Sequence, residues 1–227
     1  MGILYGISTG PGDPALMTVK AVRILQQCST VAAPQKPGTG SLALRIASEA
    51  ADLTEKRLLP LDLPMTKEPA VLRAAVQNAA DRLCEALQTG DTAFLCLGDL
   101  SLYATYQPIA ALVRERGFQT VQIPGVMSCS AAAAATGKAL ASGEEPLQIL
   151  PFGCRDFESR LQLPGGKVIL KCGAHLPELY RILERTGLLS RACAVENCGL
   201  PGERILSKLQ PDMTAGYFTA VLIEAEE

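Results

Sequence analysis

The residues with the clearest chemical potential lie in three short loops rich in glycine and small polar side chains. The first reads Thr9-Gly10-Pro11-Gly12-Asp13-Pro14, the second begins Gly98-Asp99-Leu100-Ser101, and the third reads Pro124-Gly125-Val126-Met127-Ser128. Each loop follows a short segment that predicts a β-strand: apolar runs before the first two loops and Thr120–Ile123 before the third. Open α/β proteins bind ligands at the carboxyl edge of the sheet, so three such loops together predict the floor of a ligand cleft.

The first loop differs from two common phosphate-binding patterns. It contains no Gly-x-Gly-x-x-Gly, and no Gly-Lys-Ser/Thr follows it. Gly10 and Gly12 permit backbone angles that a side chain would forbid, and the two prolines stiffen the turn. Alone, this segment is equally consistent with a plain turn. The two further loops favour a site.

The elements that must position these loops alternate between strand and helix in the first half of the chain. Pro60 cannot donate to a central ladder, so the run that contains it predicts an edge strand. Strands separated by helices predict a parallel α/β sheet. The predicted strands cover 3–7, 30–33, 57–61, 93–97 and 120–123, and the predicted helices cover 16–25, 42–51, 68–87 and 109–116.

The second half changes character, because strands there follow strands with few helices between them. This order predicts a mixed sheet in an α+β domain. We expect two closely packed domains, 1–123 and 124–227, with a cleft between them. The predicted strands cover 147–150, 167–170, 193–195, 204–206 and 218–223, and the predicted helices cover 131–135 and 176–186.

Composition argues against several functional classes. The chain has 227 residues and a net charge of −2, and its lysines and arginines are scattered, which disfavours a nucleic-acid partner. We expect no membrane span, since no apolar run approaches ~18 residues. Without a recognisable signal peptide we expect a cytoplasmic protein whose eight cysteines are reduced. No Cys-x-x-Cys occurs and His175 is the sole histidine, so we expect no metal site and a surface or capping role for His175.

Through its three loops and the stretch from Glu196 to Ile205, the chain resembles the tetrapyrrole (corrin/porphyrin) methylases. Its Leu97–Tyr106 segment is most similar to members that methylate C-20 of precorrin-2 or cobalt-factor II in cobalamin biosynthesis. The resemblance implies a two-domain α/β fold with a parallel-rich first sheet and a mixed second sheet. It also implies S-adenosyl-L-methionine as methyl donor, S-adenosyl-L-homocysteine as product, a tetrapyrrole substrate and a homodimer.

The resemblance further implies roles for individual residues, with the N-terminal domain on the substrate side and the cofactor site shared at the domain interface. Methyl transfer would proceed by alignment of the reactants, so no residue is a certain catalyst. Asp99 would lie near the charged end of the cofactor, although an aspartate in such a turn also commonly caps a helix. The implied cofactor contacts are Pro11, Gly98, Asp99, Leu102, Met127, Ser128, Cys172, Cys198, Thr219 and Ala220.

Three further residues are candidates on the substrate side. Asp13 would act there or cap the next helix. Tyr103 would pack in the core or form a cleft wall, and its neighbours Thr105 and Tyr106 favour a wall to which both tyrosines belong. Four basic residues are candidates to bind the substrate's carboxylates, only because they lie near the loops in the sequence. The alternative for each is a solvated surface side chain with no binding role. They are Lys20, Arg45, Lys138 and Arg155.

The chain departs from the family pattern at two places. Relatives usually read Gly-Val-Gly-Pro-Gly-Asp, so Ser8 replaces a glycine and narrows the loop or adds a hydroxyl. Met127 stands where serine or threonine is common. Another precorrin or uroporphyrinogen methylase and a non-catalytic ligand-binding protein remain alternatives, and the choice between metal-free and cobalt substrate is open.

Overall fold

A computed structural model describes residues 1–35, 39–66 and 68–225. The chain divides into two compact units, Met1–Met127 and Ser128–Glu227. The division falls four residues after the boundary expected at 123 and 124, because the loop that follows the last strand of the first sheet stays with that sheet. The functional roles expected for the two domains stay predictions.

The first unit alternates strands and helices from its start, in the predicted order. Its strands are β1 (Ile3–Ser8), β2 (Thr30–Gln35), β3 (Arg57–Asp62), β4 (Thr92–Cys96) and β5 (Gln119–Ile123). Its helices are α1 (Val19–Gln27), α2 (Leu42–Ala50), α3 (Pro69–Leu87) and α4 (Tyr106–Glu115). Thr18 and Ser41 begin α1 and α2 by accepting hydrogen bonds from backbone amides of the first turn.

All five strands of the first unit run parallel in the order β3-β2-β4-β1-β5. The side chains of β4 alternate between two buried clusters: Phe94 packs with α3 and α4, whereas Leu95 packs with α1 and α2. Helices thus cover both faces, as a parallel sheet requires. The edge position predicted for β3 is confirmed, and Pro60 lies there without breaking a central ladder.

Tyr106 corrects a prediction, because it lies in the core and forms no part of a cleft wall. Helix α4 begins at Tyr106 and not at residue 109, since Pro108 occupies its first turn, where a missing N–H costs little. The Tyr106 ring is 0% exposed and packs 5.5 Å from the Phe94 ring. It also covers Gly6, where a Cβ would lie 2.5 Å from the ring carbon Cζ.

The second unit contains the predicted mixed sheet, in the order β6-β7-β10-β8-β9. Its strands are β6 (Leu147–Pro151), β7 (Gly166–Leu170), β8 (Ala192–Glu196), β9 (Arg204–Leu206) and β10 (Thr219–Ile223). Strand β6 pairs parallel with β7, and the other neighbours pair antiparallel. Helix α5 (Ser128–Thr136) buries its alanine face, and α7 (Leu176–Arg185) packs into the core on Leu179 and Leu183.

Helix α6 (Phe157–Leu161) was not predicted from the sequence. Its five residues are too few to show a helical periodicity, and the side chain of Asp156, which precedes it, makes no capping hydrogen bond. It exists because Phe157 and Leu161, one turn apart, are both buried in the second unit's core. Within the part of the chain that the structure describes, none of the helices has the length and apolar character needed to span a bilayer.

The contact between Gly6 and the Tyr106 ring yields a test of the core. We expect Gly6→Ala to lower the free energy of unfolding by about 1–3 kcal/mol, because the added methyl overlaps the ring. Urea denaturation measures the loss. Tyr106→Leu, which removes the ring, should make the same Gly6→Ala change less costly, and equal costs in both backgrounds would contradict this packing.

Candidate functional site

The first and second predicted loops lie side by side at the carboxyl edge of the parallel sheet. The backbone N–H of Thr9 donates to the Cys96 carbonyl at 2.8 Å. Gly10 and Gly98 then pair with each other, with N···O distances of 3.2 and 2.8 Å. Both have φ near +73°, which favours glycine. A Cβ at Gly98 would have no atom within 4 Å, so open space lies in front of this backbone.

The carboxylate of Asp99 joins the third loop to the other two. Its Oδ1 accepts the N–H of Ser101 at 2.9 Å and the Ser101 hydroxyl. Its Oδ2 accepts the N–H of Gly125 at 2.8 Å and the hydroxyl of Ser8 at 3.4 Å. The side chain is largely enclosed, since the residue is 8% exposed. Four donors of this chain therefore use the acceptor positions of Asp99, which is a structural role beside the one implied by resemblance.

Two opposing effects act on the ionisation of Asp99. Burial would raise the pKa of the carboxyl, but hydrogen bonds from Ser101, Gly125 and Ser8 outweigh it and hold the pKa below its ordinary value. The carboxylate is thus charged at neutral pH. Its charge strengthens each hydrogen bond that ties the loops together.

The remaining residues of the first loop are packed tightly. Pro11 and Gly12 are buried, and Asp13 is partly buried. Asp13 accepts the N–H of Ala15 at 2.8 Å and so begins a short 3₁₀ turn, Pro14–Leu16. The capping alternative for Asp13 is therefore realised, and its role on the substrate side stays a prediction.

Exposure separates the candidates that follow Asp99. Tyr103 is 47% exposed with φ of +54°, an uncommon backbone conformation for an aromatic residue. Leu102 and Met127 are partly buried. Tyr103 therefore remains a candidate wall residue, whereas Tyr106 belongs to the core.

In the second unit, four predicted contact residues meet at one edge of the mixed sheet. Strand β10 runs antiparallel to β7 and β8, so its start adjoins the ends of both. The carbonyl oxygen of Thr219 lies 3.8 Å from the thiol of Cys172, and the N–H of Asn197 donates to the backbone carbonyl of Phe218 at 2.7 Å. Ala220 follows Thr219, and Cys198 follows Asn197. Ser128, the fifth of this unit's predicted contacts, is the first residue of α5.

The two cysteines of this edge are neutral thiols. Burial raises the pKa of Cys172 to about 12, and burial together with the nearby Glu203 carboxylate raises the pKa of Cys198 to about 11. A thiolate, and not a thiol, is the nucleophile in cysteine chemistry. Their placement therefore suits packing against a ligand and does not suit covalent catalysis.

Sequence reasoning missed the part played by Glu196 at this edge. Glu196 is 7% exposed and accepts hydrogen bonds from Arg204 Nε at 2.6 Å and from the N–H of Gly216. Arg204 also donates to the Thr214 carbonyl at 3.0 Å. This clamp holds residues 207–218 against the sheet, and a Cβ at Gly173 would lie 1.8 Å from the Gly216 carbonyl oxygen. The available signal was a carboxylate ending an apolar strand, eight residues before an arginine.

Other charged candidates have partners within the chain or lie in solvent. Lys138 pairs with Glu224, and exposed Arg155 lies 3.5 Å from Asp156. Lys20 and Arg45 are exposed. His175 stacks on Phe152 at 5.1 Å and approaches Glu178, which is a surface arrangement. Among residues 1–35, 39–66 and 68–225, no group of three or more metal-ligating side chains is placed to hold a metal ion.

The pKa of Asp99 gives a pH-dependent test. Because the folded pKa lies below the ordinary value of about 3.9, the carboxylate's stabilisation is complete above that pH and disappears as pH falls through the folded pKa. Asp99→Asn should lower the free energy of unfolding by roughly 1.5–3 kcal/mol at pH 7, since an amide group would face a backbone donor. At pH 3 the difference from the wild type should shrink, as measured by urea denaturation.

Asp13→Asn is the matched control, because asparagine caps a turn as well as aspartate does. It should change stability little at either pH. A difference for Asp99→Asn that is equal at pH 7 and pH 3 would contradict the role given to the carboxylate.

Comparison with known proteins identifies the family. A profile described as Tetrapyrrole (Corrin/Porphyrin) Methylases matches residues 3–211. The chain is 32% identical over 234 residues to a cobalt-precorrin-2 C(20)-methyltransferase of Salmonella typhimurium, covering 99% of this chain and 97% of that protein. It is 31% identical over 237 residues to a precorrin-2 C(20)-methyltransferase of Sinorhizobium, covering 98% and 95%.

Further comparisons differ in length or in distance. The chain spans about half the length (46%) of the cobalamin biosynthesis protein CobIJ of Mycobacterium tuberculosis, to which it is 31% identical over 98% of its own residues. A uroporphyrin-III C-methyl transferase of Thermus thermophilus, solved with S-adenyl homocysteine, has a similar fold. The TM-score is 0.70 at 18% identity, covering 98% of this chain and 92% of that one. The profile match and the relatives of nearly equal length show that this chain belongs to the tetrapyrrole (corrin/porphyrin) methylases.

Proposed function

We propose that this chain is an S-adenosyl-L-methionine-dependent methyltransferase that methylates C-20 of precorrin-2 or cobalt-factor II in cobalamin biosynthesis. The observation that carries the proposal is the convergence of the three motif loops at one sheet edge, through the Gly10–Gly98 pairing and the Asp99–Gly125 hydrogen bond. Relatives of nearly equal length named as C(20)-methyltransferases support the same reaction.

When bound, S-adenosyl-L-methionine supplies an electrophilic methyl group, and this chain's residues supply alignment. The open space in front of Gly98 fits a ligand that approaches the backbone closely. The neutral thiols of Cys172 and Cys198 suit apolar contacts at the second unit's edge. We propose as cofactor contacts Pro11, Gly98, Asp99, Leu102 and Met127 in the first unit, and Ser128, Cys172, Cys198, Thr219 and Ala220 in the second.

On the substrate side we retain Asp13 and Tyr103 and withdraw Tyr106. A tetrapyrrole offers a flat apolar ring system with carboxylates around it, so an exposed aromatic side chain is a suitable wall. Tyr103 has that exposure, whereas Tyr106 has none. Asp13 lies in the first loop, three residues after Gly10, and its carboxylate already receives the Ala15 amide.

The decisive measurement is binding followed by turnover. We expect S-adenosyl-L-homocysteine to bind the purified protein in calorimetry, and the methyl donor to methylate precorrin-2 or cobalt-factor II, with mass spectrometry locating the methyl group. Uroporphyrinogen III serves as the third substrate, because its methylation would indicate the alternative methylase. Binding without turnover on any of the three would indicate a non-catalytic ligand-binding protein, and absence of binding by folded protein would overturn the proposal.

A pair of glycine variants tests the location of the cofactor. Gly98 and Gly137 have similar φ values of +73° and +67°, and neither would place a Cβ within 4 Å of another atom. Replacing either with alanine should therefore cost about 1 kcal/mol of stability. Only Gly98→Ala should weaken S-adenosyl-L-homocysteine binding, by about tenfold or more, because its methyl enters the proposed site. Equal affinities for the two variants would remove Gly98 from the site.

We also propose a cytoplasmic homodimer. A mean hydropathy of +0.20 and a charged fraction of 19% are consistent with surface buried between copies. The first unit exposes apolar side chains between residues 58 and 72, namely Leu58, Met65, Val71 and Leu72. Light scattering should give about twice the 24.0 kDa chain mass at micromolar concentration, and a mass near 24.0 kDa would refute the dimer.

A further inference from the structure

Ser8, the last residue of β1, has a fully buried side chain that lies between the second loop and the third. It is 0% exposed. Its Oγ accepts the backbone N–H of Leu100 at 3.1 Å and donates to Oδ2 of Asp99 at 3.4 Å. The Leu100 amide is a buried donor, and an unpaired buried donor is costly. The hydroxyl therefore holds the second loop at two consecutive residues.

The Ser8 side chain also limits the third loop. A Cβ at Gly125 would lie 2.5 Å from the Cβ of Ser8, so the Gly125 backbone packs directly on this side chain. The N–H of Gly125 donates to the same Asp99 oxygen that Ser8 approaches. One serine thus contacts the loop after β4 and the loop after β5 while it belongs to β1.

The neighbouring Thr9 provides a comparison, because it also has a buried side-chain hydroxyl directly after β1. Thr9 is equally buried, but its hydroxyl donates to the carbonyl of Cys96 at 3.1 Å, at the end of β4 and before the second loop.

We propose that Ser8 is a positioning residue for the cofactor. Its hydroxyl sets the location of the backbone from Gly98 to Leu102 and of Gly125, without itself touching the cofactor. The inference rests on the proposed function, because those loops carry the proposed contacts Gly98, Asp99, Leu102 and Met127. Loss of the hydroxyl leaves the contact residues present but their backbone less constrained, which weakens binding through misplacement.

The test compares Ser8→Ala with Thr9→Val, each of which removes one buried hydroxyl from neighbouring positions. Ser8→Ala should raise the Kd for S-adenosyl-L-homocysteine and the KM for the methyl donor by about tenfold. The KM for the tetrapyrrole should change less than about twofold. Thr9→Val should leave the Kd within about twofold, even where urea denaturation shows a similar loss of stability. Equal effects of the two variants on the Kd would overturn the proposal.

A second readout does not depend on the cofactor. In Ser8→Ala, amide hydrogen exchange should be faster at Leu100 and Gly125 than in the wild type, whereas Thr9→Val should leave both protected. If Ser8→Ala does not fold, Ser8→Gly, which also lacks the hydroxyl, takes its place. Failure of both variants to fold, or unchanged exchange at Leu100, would overturn the positioning role. Failure of the wild type to bind S-adenosyl-L-homocysteine would overturn the proposed function, and exchange would still decide whether Ser8 sets the loop.

Discussion

A buried carboxylate with four donors around it is the constraint on which the first unit's loop edge depends. Asp99 gathers the strand end of β1, its own loop and the loop after β5 through Ser8, Ser101 and Gly125. A parallel sheet brings its strand ends to one edge, but it does not fix the loops that leave them. The buried carboxylate of Asp99 fixes them, because a loop that moves away removes a hydrogen-bond donor and leaves the buried charge unpaired, which costs free energy.

In the second unit, strand order and an ion pair hold the loops at the sheet edge. Its strand β10 runs antiparallel to both neighbours, so one chain segment enters the sheet where two others leave it. The ion pair between Glu196 and Arg204 then holds residues 207–218 next to that point. In each unit an acidic side chain at or just beyond a strand end organises the adjoining loops. The backbone N–H of Gly125 donates to Asp99 in the first unit, and that of Gly216 donates to Glu196 in the second.

Much of the fold could be predicted from sequence where the pattern is local. The strand β3 with its proline, the long helix α3 and the continuous apolar run of β4 follow from propensity and periodicity. Helix α4 begins three residues before its predicted start at 109, because the first turn of a helix tolerates Pro108. The assignment of Tyr106 to a cleft wall was wrong because its ring packs on Gly6, a contact between residues 100 positions apart that the residues around Tyr106 do not indicate. Ser8 and Gly125 lie 91 and 26 residues from Asp99 along the chain, so no local signal predicts these two contacts.

The positions of the cysteines allow local unfolding of this protein to be measured without an added probe. All eight are unpaired, and five are buried: Cys28, Cys96, Cys129, Cys172 and Cys193. Two of these lie in the first unit and three in the second. A buried thiol reacts with an alkylating reagent only when its surroundings open. Mass-resolved alkylation of the unmodified protein would therefore report the opening of each unit separately, with no probe introduced.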